Sequence, residues 1–181
     1  MADVNTAIAR LKSSANIRQL VVVAGTGTSM ALTGGKNKAL SWRGLIENGF
    51  EYGVAKGTIT DTQKNDWRNQ LNSGDLDELL SAAEFMGRKL GAPAGDLYAR
   101  WLQEVFKEVV PEEKGMANAI RALQSTEIPV CTLNYDLLLE QVTGLPSINL
   151  TETTKVAAWM RREEREFCIF TEFGTHRRPA F

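Results

Sequence analysis

The sequence predicts an α/β fold: an open parallel sheet with a helical insert, or cap, between its first and second strands. Three observations carry that expectation. The run Leu20-Val21-Val22-Val23-Ala24 is apolar and β-branched and ends abruptly in Gly25-Thr26-Gly27-Thr28-Ser29, as a buried parallel strand does when it feeds a tight turn. A second apolar run, Ile128 to Leu133, ends in Asn134-Tyr135-Asp136. Between them, residues 40–125 carry their apolar side chains almost entirely at helical spacing. That stretch is long for a simple crossover, which takes roughly a dozen residues or more.

In chain order, Val4, Ile8 and Leu11 mark a short amphipathic helix before the first strand, which is expected over Gln19 to Ala24. Gly25 to Lys38 holds two glycine pairs and no helical pattern, and is expected to be a loop. Ser41 is an N-cap candidate for a helix with Leu45, Ile46 and Phe50 on one face. Thr60-Asp61-Thr62-Gln63 opens the next, with Trp67 and Leu71 inward. Asp75 opens a third, with Leu76, Leu79, Leu80, Ala83 and Met86 at core spacing. Leu97, Trp101, Val105 and Phe106 mark a fourth, and Met116, Ile120 and Leu123 a fifth. After the second strand come a helix through Leu137 to Val142, a short third strand over Ser147 to Leu150, and a helix over Thr151 to Glu166. That last helix is expected to turn Val156, Trp159 and Met160 inward. Phe167 to Phe170 is a fourth apolar run.

Composition narrows the function classes. A length of 181 residues suits one domain, 1–181, with a cap. A net charge of −1 offers no broad basic field for nucleic acid or a membrane surface. Cys131 and Cys168 with a single histidine are too few for a four-ligand zinc site, and both read as buried thiols. No stretch approaches the ~20 apolar residues of a membrane helix. Met1 to Asn5 lacks the basic start of a signal peptide. A cytoplasmic location is the expectation.

The candidate site follows from the sheet. In open parallel sheets ligands sit at the carboxyl ends of the strands, near a switch point, and both strand-then-polar segments end there. Glycines let backbone come close to a ligand. The spacing is G-x-G, with Met30 where a dinucleotide fingerprint carries its third small residue, so a plain strand–turn remains the alternative at this loop. Asn134 offers a donor and an acceptor, while Asp136 accepts from hydroxyls or fixes a loop. Helix capping is the alternative for both.

Val22 to Ser29, followed by Leu40-Ser41-Trp42 and then Thr132-Leu133-Asn134-Tyr135-Asp136, resembles the bacterial sirtuin-like domains over about residues 18 to 170. The first motif is similar to the family's G-A-G-x-S loop, with Thr26 for the alanine; the second is similar to its T-x-N-x-D motif. The resemblance implies a Rossmann-like domain that binds NAD, with Ala24, Gly25, Thr26, Gly27, Ser29, Trp42 and Asn134 at the cofactor. It implies catalytic roles for Asn134, holding the nicotinamide-side ribose or a water, and for Asp136, supporting that loop. Lysine-deacylating sirtuins usually carry a four-cysteine zinc ribbon. This chain has a helical insert instead and looks like the defence-associated branch, which hydrolyses NAD to nicotinamide and an ADP-ribose product during phage infection. An NAD-dependent protein deacylase and a non-catalytic NAD- or partner-binding module are the alternatives.

The pattern departs from the family at one place. Phe167 to Gly174 stands where the family carries a histidine in an H-x-H-G-like stretch, and the chain's histidine, His176, lies in an arginine-rich tail. The sequence stops at Phe181, before the closing strands such a domain has. The domain is therefore expected to be incomplete at its C-terminus, catalytically impaired, and open to a homo-oligomer or partner protein along an exposed edge. Read from the third base of the Phe167 codon, an alternative frame has the freedom to spell L-H-L-H-G-V-W-D-T-P-E. A single frameshift near Glu166 is the expectation this raises for Cys168 to Phe181. An immediate stop codon in that frame of the coding DNA would end it.

Overall fold

The computed structural model describes residues 3–16, 19–126, 128–149, 151–161 and 163, and the backbone of 167–169. Four three-residue strands, β1 (Val22–Ala24), β2 (Val130–Thr132), β3 (Ser147–Asn149) and β4 (Phe167–Ile169), form one parallel sheet in the order β1-β2-β4-β3. Val22, Val23 and Ala24 lie opposite Val130, Cys131 and Thr132. Cys131 lies opposite Cys168, and Cys168 opposite Ile148.

Alternation along each strand gives the sheet two faces. On one face Val22, Ala24 and Val130 meet α2 (Thr26–Leu32), α7 (Lys114–Ser125) and α8 (Leu138–Thr143), through Leu32, Ala117, Ile120, Leu138, Leu139 and Val142. On the other, Cys131 and Ile148 lie beneath Val156 and Trp159 of α9 (Thr153–Met160). Helices on both faces are what a parallel sheet needs, since neither side is polar. The chain is thus an α/β protein, rich in helix, around a small parallel sheet.

The cap is built by α3 (Trp42–Ala55), α4 (Asp61–Leu71), α5 (Leu76–Leu90) and α6 (Asp96–Phe106). It has its own core of Ile46, Phe50, Ile59, Leu71, Ala82, Met86, Leu90 and Trp101. Local signals set its elements. Ser41 Oγ accepts from Gly44 N at 3.1 Å and caps α3. Thr60 and Gln63 form a reciprocal capping box on α4. Asp75 accepts from Asp77 N to open α5, and Gly91, left-handed at φ 86°, ends it. Where α3 crosses α5 and α6, a Cβ on Gly49 would lie 2.6 Å from Met86 Sδ and 2.9 Å from Trp101 Cζ2. The methionine can yield, but the buried indole, held by Trp101 Nε1 donating to Asn48 Oδ1 at 2.8 Å, cannot. Gly49→Ala is therefore expected to lower the unfolding free energy by about 1–3 kcal/mol, as overpacking does. Chemical denaturation checks this, and an unchanged midpoint would show that the crossing has slack.

Several expectations need correction. The stretch from Gly25 to Lys38 is not all loop, because Thr26–Leu32 forms α2 and Lys38–Leu40 a 3-10 turn. The first strand is not buried throughout: Val21 and Val23 are 46% and 58% exposed, because β1 is an edge strand on the face that α9 covers only farther along. The cap does not reach residue 125. Leu40 and α7 pack on the sheet's core, so the insert proper ends with α6. Leu76, Leu80 and Met160 point outward rather than inward. The helix expected over Thr151 to Glu166 spans only Thr153–Met160, and Arg161 pairs with Glu163 just beyond it.

A further helix, α1 (Val4–Asn16), buries none of its residues and exposes Val4, Ile8 and Leu11. No helix among the described residues is long and apolar enough to cross a membrane.

Candidate functional site

Both strand-then-polar segments arrive at the same edge of the sheet. β1 delivers Gly25 into the first turn of α2, and Thr28 N returns to Gly25 O at 2.9 Å. β2 delivers Thr132, whose Oγ1 accepts from Asn134 N at 3.1 Å and tightens the turn after the strand. Leu133 N donates to Ala24 O, extending the β1–β2 ladder by one bond before the chains part. α2 is fixed at its far end, where Leu32 O accepts from both Glu112 N and Glu113 N in the segment leading to α7. α8 is held against the same segment by Gln141 Nε2 donating to Val109 O.

These elements bring Ser29, Asn134 and Asp136 together, all three buried. Asn134 Nδ2 donates to Gly25 O at 2.9 Å and to Ser29 Oγ at 2.6 Å. Ser29 Oγ donates to Asp136 Oδ2 at 2.6 Å, and Asp136 Oδ1 accepts from Leu138 N at 3.1 Å. The donation runs one way, from amide to hydroxyl to carboxylate. Gly25 O accepts only, so the amide's orientation is fixed: nitrogen toward the loop, Oδ1 away from it. Both nitrogen protons and the serine proton are thereby used. Asn134 Oδ1 is buried with no hydrogen-bond partner among the described residues. A buried acceptor left unpaired costs about 1–3 kcal/mol, and it is the cluster's remaining capacity for a ligand's donor.

The capping alternative accounts for part of this. Asp136 Oδ1 does serve the first N–H groups of α8 through Leu138 N. It does not account for Asp136 Oδ2 or for Asn134, whose side chain reaches across to the other segment.

The remaining candidate residues fall around the cluster. Ala24 is buried in the sheet's core. A Cβ built on Gly25 or Gly27 would meet nothing within 4 Å, and Gly25 has an extended backbone at φ −113°. Neither glycine is required by packing, and each leaves open space above the turn. Thr26 opens α2. Trp42 opens α3 and is 53% exposed, outside the hydrogen-bonded cluster. His176 lies outside the described residues, as do the side chains of Phe167 and Cys168 and all of Phe170 to Phe181.

Three aromatic residues beside the cluster were missed by the sequence reading. Tyr135, between Asn134 and Asp136, stacks on Phe106 of α6 with centroids 6.3 Å apart and planes at 21°. Its hydroxyl also lies near that of Tyr98, on the same helix. Burial pushes the Tyr98 hydroxyl above its usual range, and the neighbouring Tyr135 opposes that. The available signal was that an aromatic ring flanked by two polar site residues must pack against something.

No protein-family model and no solved structure matches the chain.

Proposed function

We propose that the chain is an NAD-binding protein of the sirtuin-like, Rossmann-like type. In this reading it carries, in impaired form, the NAD hydrolysis that the resemblance ties to anti-phage defence. The observation that supports this reading best is Asn134. Its amide joins the glycine turn to Ser29 and leaves one buried acceptor, Oδ1. Of the groups on NAD, a ribose hydroxyl or the carboxamide N–H₂ has the donor that such an atom takes; a phosphate has none. Gly25 and Gly27, whose Cβ positions are open, would let Thr26 and the backbone approach the phosphates. Ser29 would hold the amide, Asp136 would hold Ser29, and Ala24 and Trp42 would border the cofactor.

One observation favours the second reading, a binding module without turnover. No histidine stands among the described residues, and the sequence has just one, His176. A missing general base costs roughly 10²- to 10⁴-fold in rate.

Two measurements on the purified chain separate these readings. NAD is expected to raise the melting temperature, since a ligand that binds only the native state stabilises it by mass action. Nicotinamide release is expected to be slow, and slower still in Asn134→Ala. Binding without any release selects the module; release that survives Asn134→Ala removes the site assignment; no thermal shift at millimolar NAD removes the whole reading.

A further inference from the structure

We propose that Tyr135 is a positioning residue through which the helical cap sets the Asn134–Ser29–Asp136 cluster. The cap and the sheet have separate cores that share no buried residue. The 3-10 turn Lys38–Leu40, whose Leu40 packs on the sheet's core beside α3, touches both, and so does α6. Tyr98, toward its start, packs on the cap's core, and Phe106, at its end, packs on the sheet's core. Tyr135 meets α6 by its stack on Phe106, with its hydroxyl toward Tyr98.

The path then enters the cap. The Tyr98 ring lies 5.5 Å from the Trp101 ring, and Trp101 is fully buried and tied to Asn48 of α3. On the other side, one peptide bond separates Tyr135 from Asn134 and one from Asp136. Any displacement of α6 is therefore transmitted to a backbone segment whose two side chains must meet Ser29 within hydrogen-bond reach. Other bonds of the chain 133–137 run from Leu133 N to Ala24 O, Asn134 N to Thr132, Leu138 N to Asp136 and Gln141 N to Leu137 O. None of these involves the cap.

The consequence for a ligand rests on the NAD reading above, whereas the positioning itself does not, so the test reads the cluster directly. Solvent exchange of the Asn134 side-chain N–H₂ is followed by ¹⁵N NMR in the full chain. Wild type is compared with Tyr98→Phe, Tyr135→Phe and Tyr135→Leu. The Gln141 side-chain N–H₂, bound to Val109 O at 3.0 Å, serves as the control. Removing either hydroxyl from this polar contact is expected to speed Asn134 exchange roughly threefold, with Tyr135→Leu, which also loses the stack on Phe106, faster again. Gln141 exchange should stay as in wild type, because a general loosening would move both amides. Unchanged Asn134 exchange in the two Phe variants overturns the proposal even if Tyr135→Leu fails to fold, and so does a parallel rise at Gln141. NAD affinity should weaken in the same order. If wild type does not bind NAD at all, the functional reading falls while the exchange data still decide the positioning.

Discussion

Gly27→Val will fold as wild type does and lose the response to NAD that the proposed function predicts. A Cβ at Gly27 meets nothing within 4 Å, so the added side chain points into open space rather than into the core. The position lies within α2, where replacing glycine costs nothing in helix propensity and gains a few tenths of a kcal/mol. Stability without ligand should therefore stay within about 0.5 kcal/mol of wild type, as surface substitutions do. In wild type, NAD at a hundred times its dissociation constant would add about 2.7 kcal/mol, or roughly 5–10 °C for a chain of this size. In the variant the isopropyl group occupies the space where the phosphates would approach, and that increment should vanish. An undiminished shift in the variant would show that the glycine turn does not face the ligand. A variant that loses the shift because it is unfolded is excluded by its own melting curve.

Asn134→Asp is expected to be the most damaging conservative change in the protein. The amide donates twice, to Gly25 O and Ser29 Oγ. A carboxylate of the same shape donates to neither, and it places a buried negative charge next to a carbonyl and a serine that already donates to Asp136. Among the described residues no cation joins the hydrogen-bonded cluster to compensate. Such a buried, uncompensated charge costs about 3–5 kcal/mol. Asn134→Ala should cost less, because it leaves two unsatisfied groups without adding a charge. The ordering carries a pH signature. Burial and the Asp136 carboxylate raise the folded-state pKa of the introduced carboxyl above its unfolded value, so between those two values the folded variant holds a proton that the unfolded one has lost, and above them both are charged. The variant's deficit relative to wild type should shrink as the pH falls and grow as the pH rises through that folded value. Equal stability of N134D and wild type at neutral pH would mean that the amide's two donations contribute nothing.

Much of this arrangement is legible in the residues, and the exceptions have physical reasons. Thr60 and Gln63, Ser41 and Asp75 announce their helices because a cap's chemistry is local. The four strands stand where the four apolar runs stand. α2 is hidden because Thr26-Gly27-Thr28-Ser29 are poor helix formers, and the helix is held instead by Leu32 packing and by the donors on Leu32 O. Helical spacing shows which face of α7 is apolar but not which core receives it. For that reason Met116, Ile120 and Leu123 read as part of the cap although they pack on the sheet. The exposure of Val21 and Val23 depends on strand order, which no local pattern encodes. The meeting of Gly25 with Asn134 could be anticipated from sheet topology alone, since both follow strands at the same edge. The link from Tyr135 to Tyr98 and Phe106 could not, because it depends on how α6 lies between two cores.

The bonds of Asn134 to Gly25 and of Asp136 to Ser29 span 109 and 107 residues of sequence. Closing so wide a loop costs entropy before any contact rewards it, whereas the helices between form from neighbours only a turn apart. The cluster is therefore expected to assemble late as the chain folds, after the intervening helices have shortened the distance between its halves. A ligand that reads Asn134 recognises only chains that have finished that journey, and by mass action it draws the unfinished ones after them.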